Sequence, residues 1–325
     1  MSSSKQAKTW LGTDDKFVRL RKIETLDPQT DFREITELFY TDFQSVMVVQ
    51  GVAGLLFTYS APRMSRILSA SRQLEHHTAK RYVDTATFNA AVMQNGLNTG
   101  DGREAARRVN AMHRQYDIHP QDFVAVGCDV PATSLDLAER FGWRPVTDIE
   151  REGVLRHYTL EARAFGSHDP MPDTMDGVRA FWNHYLDTQA TFEPQNKALT
   201  DALMTFMPTL VPGPLKRIIN PILTAQVDPR ILRACGLPVP SRLRKGLSTA
   251  FVKSLGKSDP KPDSYTSTTL SDLRDKIYPN GWSIQTLGTH LKEHKDPAAH
   301  ATPAATADAA TPVDAHAETA EKGQS

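Results

Sequence analysis

The sequence predicts an all-α fold, a single multi-helix domain, and three observations carry that expectation. Apolar residues recur at spacings of three and four along most of the chain, the period of a helix with one buried stripe. No run alternates apolar and polar residues over strand length between turn signals, and no βαβ rhythm is present. With 325 residues and 39% hydrophobic composition, the chain is long enough to close one large core.

The elements follow in order. Residues 1–30 read as an N-terminal arm with a short helix near 15–24. Residues 32–57 carry long apolar runs and predict a helix or a helix pair. Their most apolar part, VMVVQGVAGLLF (46–57), would span about 18 Å against about 30 Å of membrane hydrocarbon, so a buried core helix is expected and no transmembrane segment. Pro62 suits a first helical turn and opens a helix to about residue 72. The next covers 77–93 and stops at Asn95-Gly96, inside the turn-rich NGLNTGDG (95–102). Ala105, Val109, Met112 and Tyr116 then fall three or four apart, predicting a helix over 104–116. Residues 122–141 form another, which Pro131 should bend or break. Thr147 and Glu150 have the capping-box spacing and open a helix to about 165. Helices follow over 174–192 and 196–207, then a Pro-rich connector and short helices over 214–224 and 228–234. The tract 237–256 closes the packed body, before a polar linker (258–268) and a last helix (269–277).

Charge and cysteine content exclude several functions. Lys plus Arg and Asp plus Glu are 38 each, so the basicity of a nucleic-acid binder is missing. The zero is an average: residues 296–325 hold five acids, one base and eleven Ala, a composition that cannot offset its ordering entropy. A disordered acidic tail over 291–325 is therefore expected, behind a mildly basic body. Cys128 and Cys235 cannot make a disulfide framework or a thiolate zinc site, and read as free thiols of a reducing compartment. The first residues lack the apolar core of a secretory leader, which points to the cytoplasm.

The familiar catalytic signatures are missing. There is no H-E-x-x-H, and the adjacent His76 and His77 point in different directions on a helix. No Glu-x-x-His pair for a di-iron bundle and no G-x-S-x-G elbow occurs. What remains is a polar set on two consecutive helices. Arg81 and Thr85 are four apart on one face, with Phe88 and Val92 following, and Val109 and His113 are four apart on the next helix. An antiparallel pair can bring Arg81, Thr85 and His113 around one volume. A histidine beside apolar residues is commonly a satisfied core residue, whereas a guanidinium in an apolar surround needs an anionic or multi-acceptor partner.

The segments K-R-Y-V-D-T (80–85), R-R-V-N-A-M-H-R (107–114) and F-G-W-R-P-V-T-D-I-E (141–150) resemble the DUF2236 family, which contains latex-clearing rubber oxygenases and MpaB-type oxygenases. Trp182, Tyr185, Phe192, Pro194 and Asn196 resemble its W-x-x-Y…N block, and the likeness covers about 35–200. The resemblance implies a globin-like helical core around haem b, with His113 as the axial ligand of the iron. It implies Arg81 and Thr85 beside the haem, orienting dioxygen or substrate. Some rubber oxygenases carry Lys where this chain has Asp84, so no lysine-closed form is expected, and Asp84 could act as a base if it faces inward. Phe88, Val92, Val109 and Met112 would sheath the macrocycle, and Lys80, Arg107, Arg108 and Arg114 are candidate partners for its propionates. His119 is an alternative ligand at a helix end.

The implied protein has an arm (1–30), a catalytic domain (31–290) and the tail. It would use dioxygen to cleave a carbon–carbon double bond of a hydrophobic, unsaturated or isoprenoid-like substrate. A monooxygenase or oxidase on the same scaffold, or a haem carrier or sensor, stays open as an alternative. Greasy substrates are compatible with peripheral membrane contact, and residues 210–285 could cover the pocket.

Overall fold

Most of the predicted stripes become helices close to their expected bounds. The structure, a computed structural model, describes residues 8–265 and 269–288, and the acidic tail lies outside the described residues. Among these are α1 (Val18–Ile23), α2 (Phe32–Asp42), α3 (Gln44–Ser60), α4 (Pro62–Ala70), α5 (Gln73–His76), α6 (Thr78–Asn95), α7 (Gly100–His113) and α8 (Pro120–Phe141). There follow α9 (Asp148–Ala164), α10 (Met175–Gln189), α11 (Pro194–Phe206), α12 (Ile219–Thr224), α13 (Pro229–Ala234), α14 (Arg242–Gly256) and α15 (Thr269–Ile277). The result is an all-α multi-helix domain. Only an isolated bridge, Trp10 to Thr13, pairs extended backbone among the described residues.

The apolar run resolves into two helices bent by 104° at Phe43. Helix α3 is apolar around most of its circumference, as a central helix must be. It buries Val46, Val49, Val52, Leu56, Phe57 and Tyr59 and packs on α4, α8, α11, α12, α13 and α14. No single helix among the described residues is long and apolar enough to cross a membrane.

Pro131 does not break α8. The helix continues through it from Pro120 to Phe141, with Pro131 itself buried. Packing of α8 against α3, α9 and α10 outweighs the roughly 3 kcal/mol that an internal proline costs. Thr147 and Glu150 form both halves of the capping box, and Glu150 then turns inward. There it meets Arg144, whose guanidinium also binds Asp42 at 2.8 Å; all three are buried. Trp143 Nε1 donates to the Asp42 carbonyl at 2.9 Å. The G-W-R-P-V-T-D-I-E segment is thus a structural clamp between α2 and α9.

Two parts of the chain fold back. In the N-terminal arm, Trp10 Nε1 donates to Pro260 O and Arg19 to Lys261 O and Asp263, tying the arm to the polar linker. At the other end, α15 and a 3-10 turn (Ile284–Thr286) form a strap that packs on α6 and α7. Helix α7 begins at Gly100, earlier than periodicity predicts, because Gly102 lets the pair approach. A Cβ there would lie 2.0 Å from the Gly96 carbonyl oxygen.

Candidate functional site

Helices α6 and α7 meet across the Gly96 turn around one small core. Phe88, Val92, Val109 and Met112, the residues expected to sheath a macrocycle, pack on one another, on Ala91 and Ala105, and on Ile284 and Leu287 of the strap. All four are buried. The strap's apolar side chains fill the space these residues face, a long-range contact that local periodicity could not reveal.

Arg81, Thr85 and His113 stand outside that core: Thr85 is exposed, and Arg81 and His113 are half-buried. His113 is the last residue of α7, and its Nδ1 lies 2.8 Å from the Phe165 carbonyl oxygen at the end of α9. A carbonyl can only accept, so Nδ1 donates and Nε2 keeps its lone pair. Nε2 has no hydrogen-bond partner among the described residues. Burial lowers the imidazole pKa, the Phe165 carbonyl opposes this, and the charge of Arg81 lowers it further. The ring stands edge-on to Phe123, 5.5 Å between centroids. Arg81 therefore lies within electrostatic range of His113, and it acts likewise on Tyr59 of α3 and Tyr278 of the strap.

Asp84 faces inward, away from water. Its Oδ2 accepts from Lys80 Nζ at 2.7 Å and from the Gly288 amide at 2.9 Å, and its Oδ1 accepts from the Tyr278 hydroxyl. Lys80 also donates to the Gly288 carbonyl, and Arg108 to the Leu287 carbonyl. Asp84 is thus the anchor of the strap, with both oxygens engaged, an arrangement that leaves little room for a base. The other propionate candidates, Arg107 and Arg114, line an open recess of about 600 Å³ on the outer side of α7 with Arg103 and Asn110. His119 caps α8, its Nδ1 accepting from the Gln121 amide at 3.2 Å.

Apolar side chains are left uncovered on two central helices, and one of them, Phe123, packs against the His113 ring. Phe123, Val126 and Val130 form a stripe along α8 at helical spacing, and Val126 is 39% exposed. On α3, Val48 is 54% exposed, and a Cβ on Gly51 would meet nothing within 4 Å. These two helices cross at Gly54, where a Cβ would sit 3.3 Å from Asp129 Oδ2.

Asp129 is a residue that sequence reasoning missed. It is buried on α8, and its Oδ1 accepts from Trp182 Nε1 at 2.8 Å. Burial pushes its pKa up to about 7, while the Trp182 hydrogen bond works against the shift. The signal lay in the W-x-x-Y pattern: Trp182 and Tyr185, one turn apart on α10, donate to Asp129 and Asp122 on α8. Asn196 is buried as well, its amide spanning the Thr191 and Ala234 carbonyls.

Metal chemistry is narrowed by donor type. Among the described residues, no three His, Cys, Asp or Glu side chains converge on a metal position. Cys128 and Cys235 are buried free thiols whose pKa burial pushes up to about 12, so neither supplies a thiolate. One neutral imidazole with a free Nε2 suits a metal that brings the rest of its ligands. His113 is of the donor type that a haem takes, whereas Phe88, Val92, Val109 and Met112 pack on one another and on the strap.

No curated protein matches the chain. The family model described as ER-bound oxygenase mpaB/B′/rubber oxygenase, catalytic domain, matches residues 39–255, more than half of the chain. The match contains every helix from α3 to α13, and with them Arg81, Thr85, His113 and Asp129. The chain belongs to the family of mpaB-type and rubber oxygenase catalytic domains, an oxidoreductase family.

Proposed function

We propose that the chain is a haem b-dependent oxygenase that cleaves a carbon–carbon double bond of a hydrophobic, isoprenoid-like substrate with dioxygen. The observation that carries the reading is His113: neutral, oriented by the Phe165 carbonyl, and with Nε2 uncommitted. Its imidazole would hold the iron, within a globin-like core of the 31–290 domain. The haem would supply the oxygen chemistry, which no side chain here can perform.

The chain's own residues then have separable tasks. The Phe165 carbonyl fixes the tautomer and ring plane of His113. Arg81 presents a cation beside His113 and would orient a polar group of oxygen or substrate, with the Thr85 hydroxyl one turn on as a second donor. Phe88, Val92, Val109 and Met112 stiffen the two helices from which these groups project. Phe123, Val126, Val130 and Val48 offer apolar wall that would exclude water and receive a greasy substrate. Asp129, poised by burial to exchange a proton near neutrality, would serve as the proton-holding group of this pocket in place of Asp84. The reading places the enzyme in the cytoplasm, in peripheral contact with a membrane.

The ultraviolet–visible spectrum of the purified protein, oxidised and reduced, tests the cofactor. A Soret band is expected, and His113→Ala should abolish it while helical circular dichroism is retained. Oxygen uptake with both oxygen atoms recovered in aldehyde or ketone products tests cleavage against hydroxylation. A folded, haem-loaded protein whose spectrum ignores His113→Ala would overturn the ligand assignment.

A further inference from the structure

Helix α14 is built with two different halves. Its C-terminal half is anchored: Ser248, Val252 and Gly256 are buried, Ser248 donates to the Ile222 carbonyl at 2.8 Å, and a Cβ on Gly256 would lie 1.9 Å from the Phe141 carbonyl oxygen. Its N-terminal half projects, with every residue from Arg242 to Leu247 exposed. Ser241 caps the helix, its hydroxyl accepting from the Arg244 amide, so the projection is ordered helix and not a frayed end.

The projecting half is both greasy and cationic. Leu243 and Leu247, four apart and so on one side, are 74% and 65% exposed, the two most uncovered large apolar residues of the described chain. Arg242, Arg244 and Lys245 surround them, and none makes an ion pair among the described residues. The neighbouring 3-10 turn, Gly213–Arg217, packs on α12 as α14 does, and it ends in exposed Lys216, Arg217 and Ile218. Across residues 202–258 there are nine Lys or Arg and one acid, Asp228, in a chain whose overall charge is zero.

We infer that this face is a docking surface for an anionic lipid bilayer, with Leu243 and Leu247 entering the headgroup boundary and the cations held at the phosphate level. Exposed leucines flanked by Lys and Arg on an ordered helix are the pattern of in-plane membrane binding, where apolar burial and attraction to acidic lipid add. Charge complementarity selects this occupant. A second copy would bring the same unpaired cations against each other, and a nucleic acid has no use for two protruding leucines. The family description attaches "ER-bound" to the family but names no face and no lipid. Because α14 packs directly on α3 and α8, docking here would set the helices carrying the uncovered apolar stripes next to the source of a greasy substrate.

The test is co-sedimentation of the full chain with phosphatidylcholine vesicles, with and without phosphatidylserine, and it needs no haem. Binding is expected only where phosphatidylserine is present. Removing a cation near the surface should weaken it roughly fivefold, so Arg242→Gln with Arg244→Gln should lose about 25-fold. Leu243→Ser with Leu247→Ser should also weaken it, with an unchanged thermal midpoint because both side chains are exposed. Arg156→Gln with Arg163→Gln on exposed positions of α9 should leave it unchanged. Three results would overturn the assignment: no sedimentation of the wild type with acidic vesicles, an equal loss in the α9 variant, or leucine changes that abolish a dimer in analytical ultracentrifugation and leave vesicle binding intact.

Discussion

Asp84 gathers three donors, two of them from the strap, and this allows the strap's attachment to be weighed. Tyr278→Phe removes one hydrogen bond to a buried carboxylate and leaves the Lys80 and Gly288 bonds in place. A hydrogen bond to a charged group contributes about 1.5–3 kcal/mol net, and with two donors remaining the low end applies, about 1.5 kcal/mol. Asp84→Ala removes the acceptor for all three and leaves Lys80 without its buried partner, which costs about 3–5 kcal/mol. The opening involved is local, so it is read by native-state hydrogen exchange of the peptide containing Leu287 and Gly288, with a peptide from α3 as reference. At 1.4 kcal/mol per tenfold, Tyr278→Phe should speed strap exchange about tenfold, and Asp84→Ala several hundredfold. The double variant should match Asp84→Ala alone, because Tyr278 has no acceptor once Asp84 is gone. Strap exchange that accelerates equally in both single variants, or additively in the double, would refute the latch.

Three further outcomes follow from named groups. Asp129 has a folded pKa of about 7 against 3.8, so between those values the folded state holds a proton that the unfolded state has lost. Stability should therefore fall as pH rises through that window, by up to about 4 kcal/mol, and Asp129→Asn should flatten the profile; parallel urea-midpoint profiles would count against this. His113 should titrate below 6.5 by NMR in the haem-free chain, and since its folded pKa is lowered, its contribution to stability is lost as pH falls through 6.5. A midpoint at or above 6.5 would remove the argument for a buried neutral imidazole. Gly288→Ala should loosen the strap by about 1–2 kcal/mol from backbone strain alone, since Gly288 has φ +77° and its Cβ would sit 2.5 Å from Met112 Sδ. Unchanged strap exchange would contradict it.

What could be read from the sequence divides along contact range. Helix existence was legible because stripes and caps are local: the Thr147 and Glu150 capping box, Pro62 at a first turn and Gly96 at a stop all act within four residues. Pro131 does not break α8 because the packing that carries the helix through it comes from other helices, α3 among them, and not from its local sequence. Arg81 and His113 were brought together by a resemblance and by helix spacing, and the structure puts them within electrostatic range. The cover over Phe88 and Met112 was illegible, because Ile284 and Leu287 arrive from some 170 residues or more away. Asp129 was hidden differently. A carboxylate reads as solvent-facing until its indole partner is known, and that partner sits 53 positions on.

Helix α6 carries both the strap's anchor, Asp84, and two residues of the candidate site, Arg81 and Thr85. At 100° per residue, Asp84 lies about 60° to one side of Arg81 around the helix and Thr85 about 40° to the other. One helix therefore turns Asp84 toward the strap and Thr85 toward open space, with Arg81 on the seam between them. Tyr278 touches both sides of that seam: its hydroxyl donates to Asp84, and Arg81 acts on it electrostatically. Releasing the strap would free Tyr278 from Asp84 and change the field at Arg81, hence at the His113 imidazole that Arg81 already influences. On this arrangement the Asp84 latch would act as a positioning device for the candidate site, and its loss should move the His113 titration in the same variants that speed strap exchange. A His113 midpoint identical in wild type and Asp84→Ala would separate the two and leave the strap a purely structural clasp.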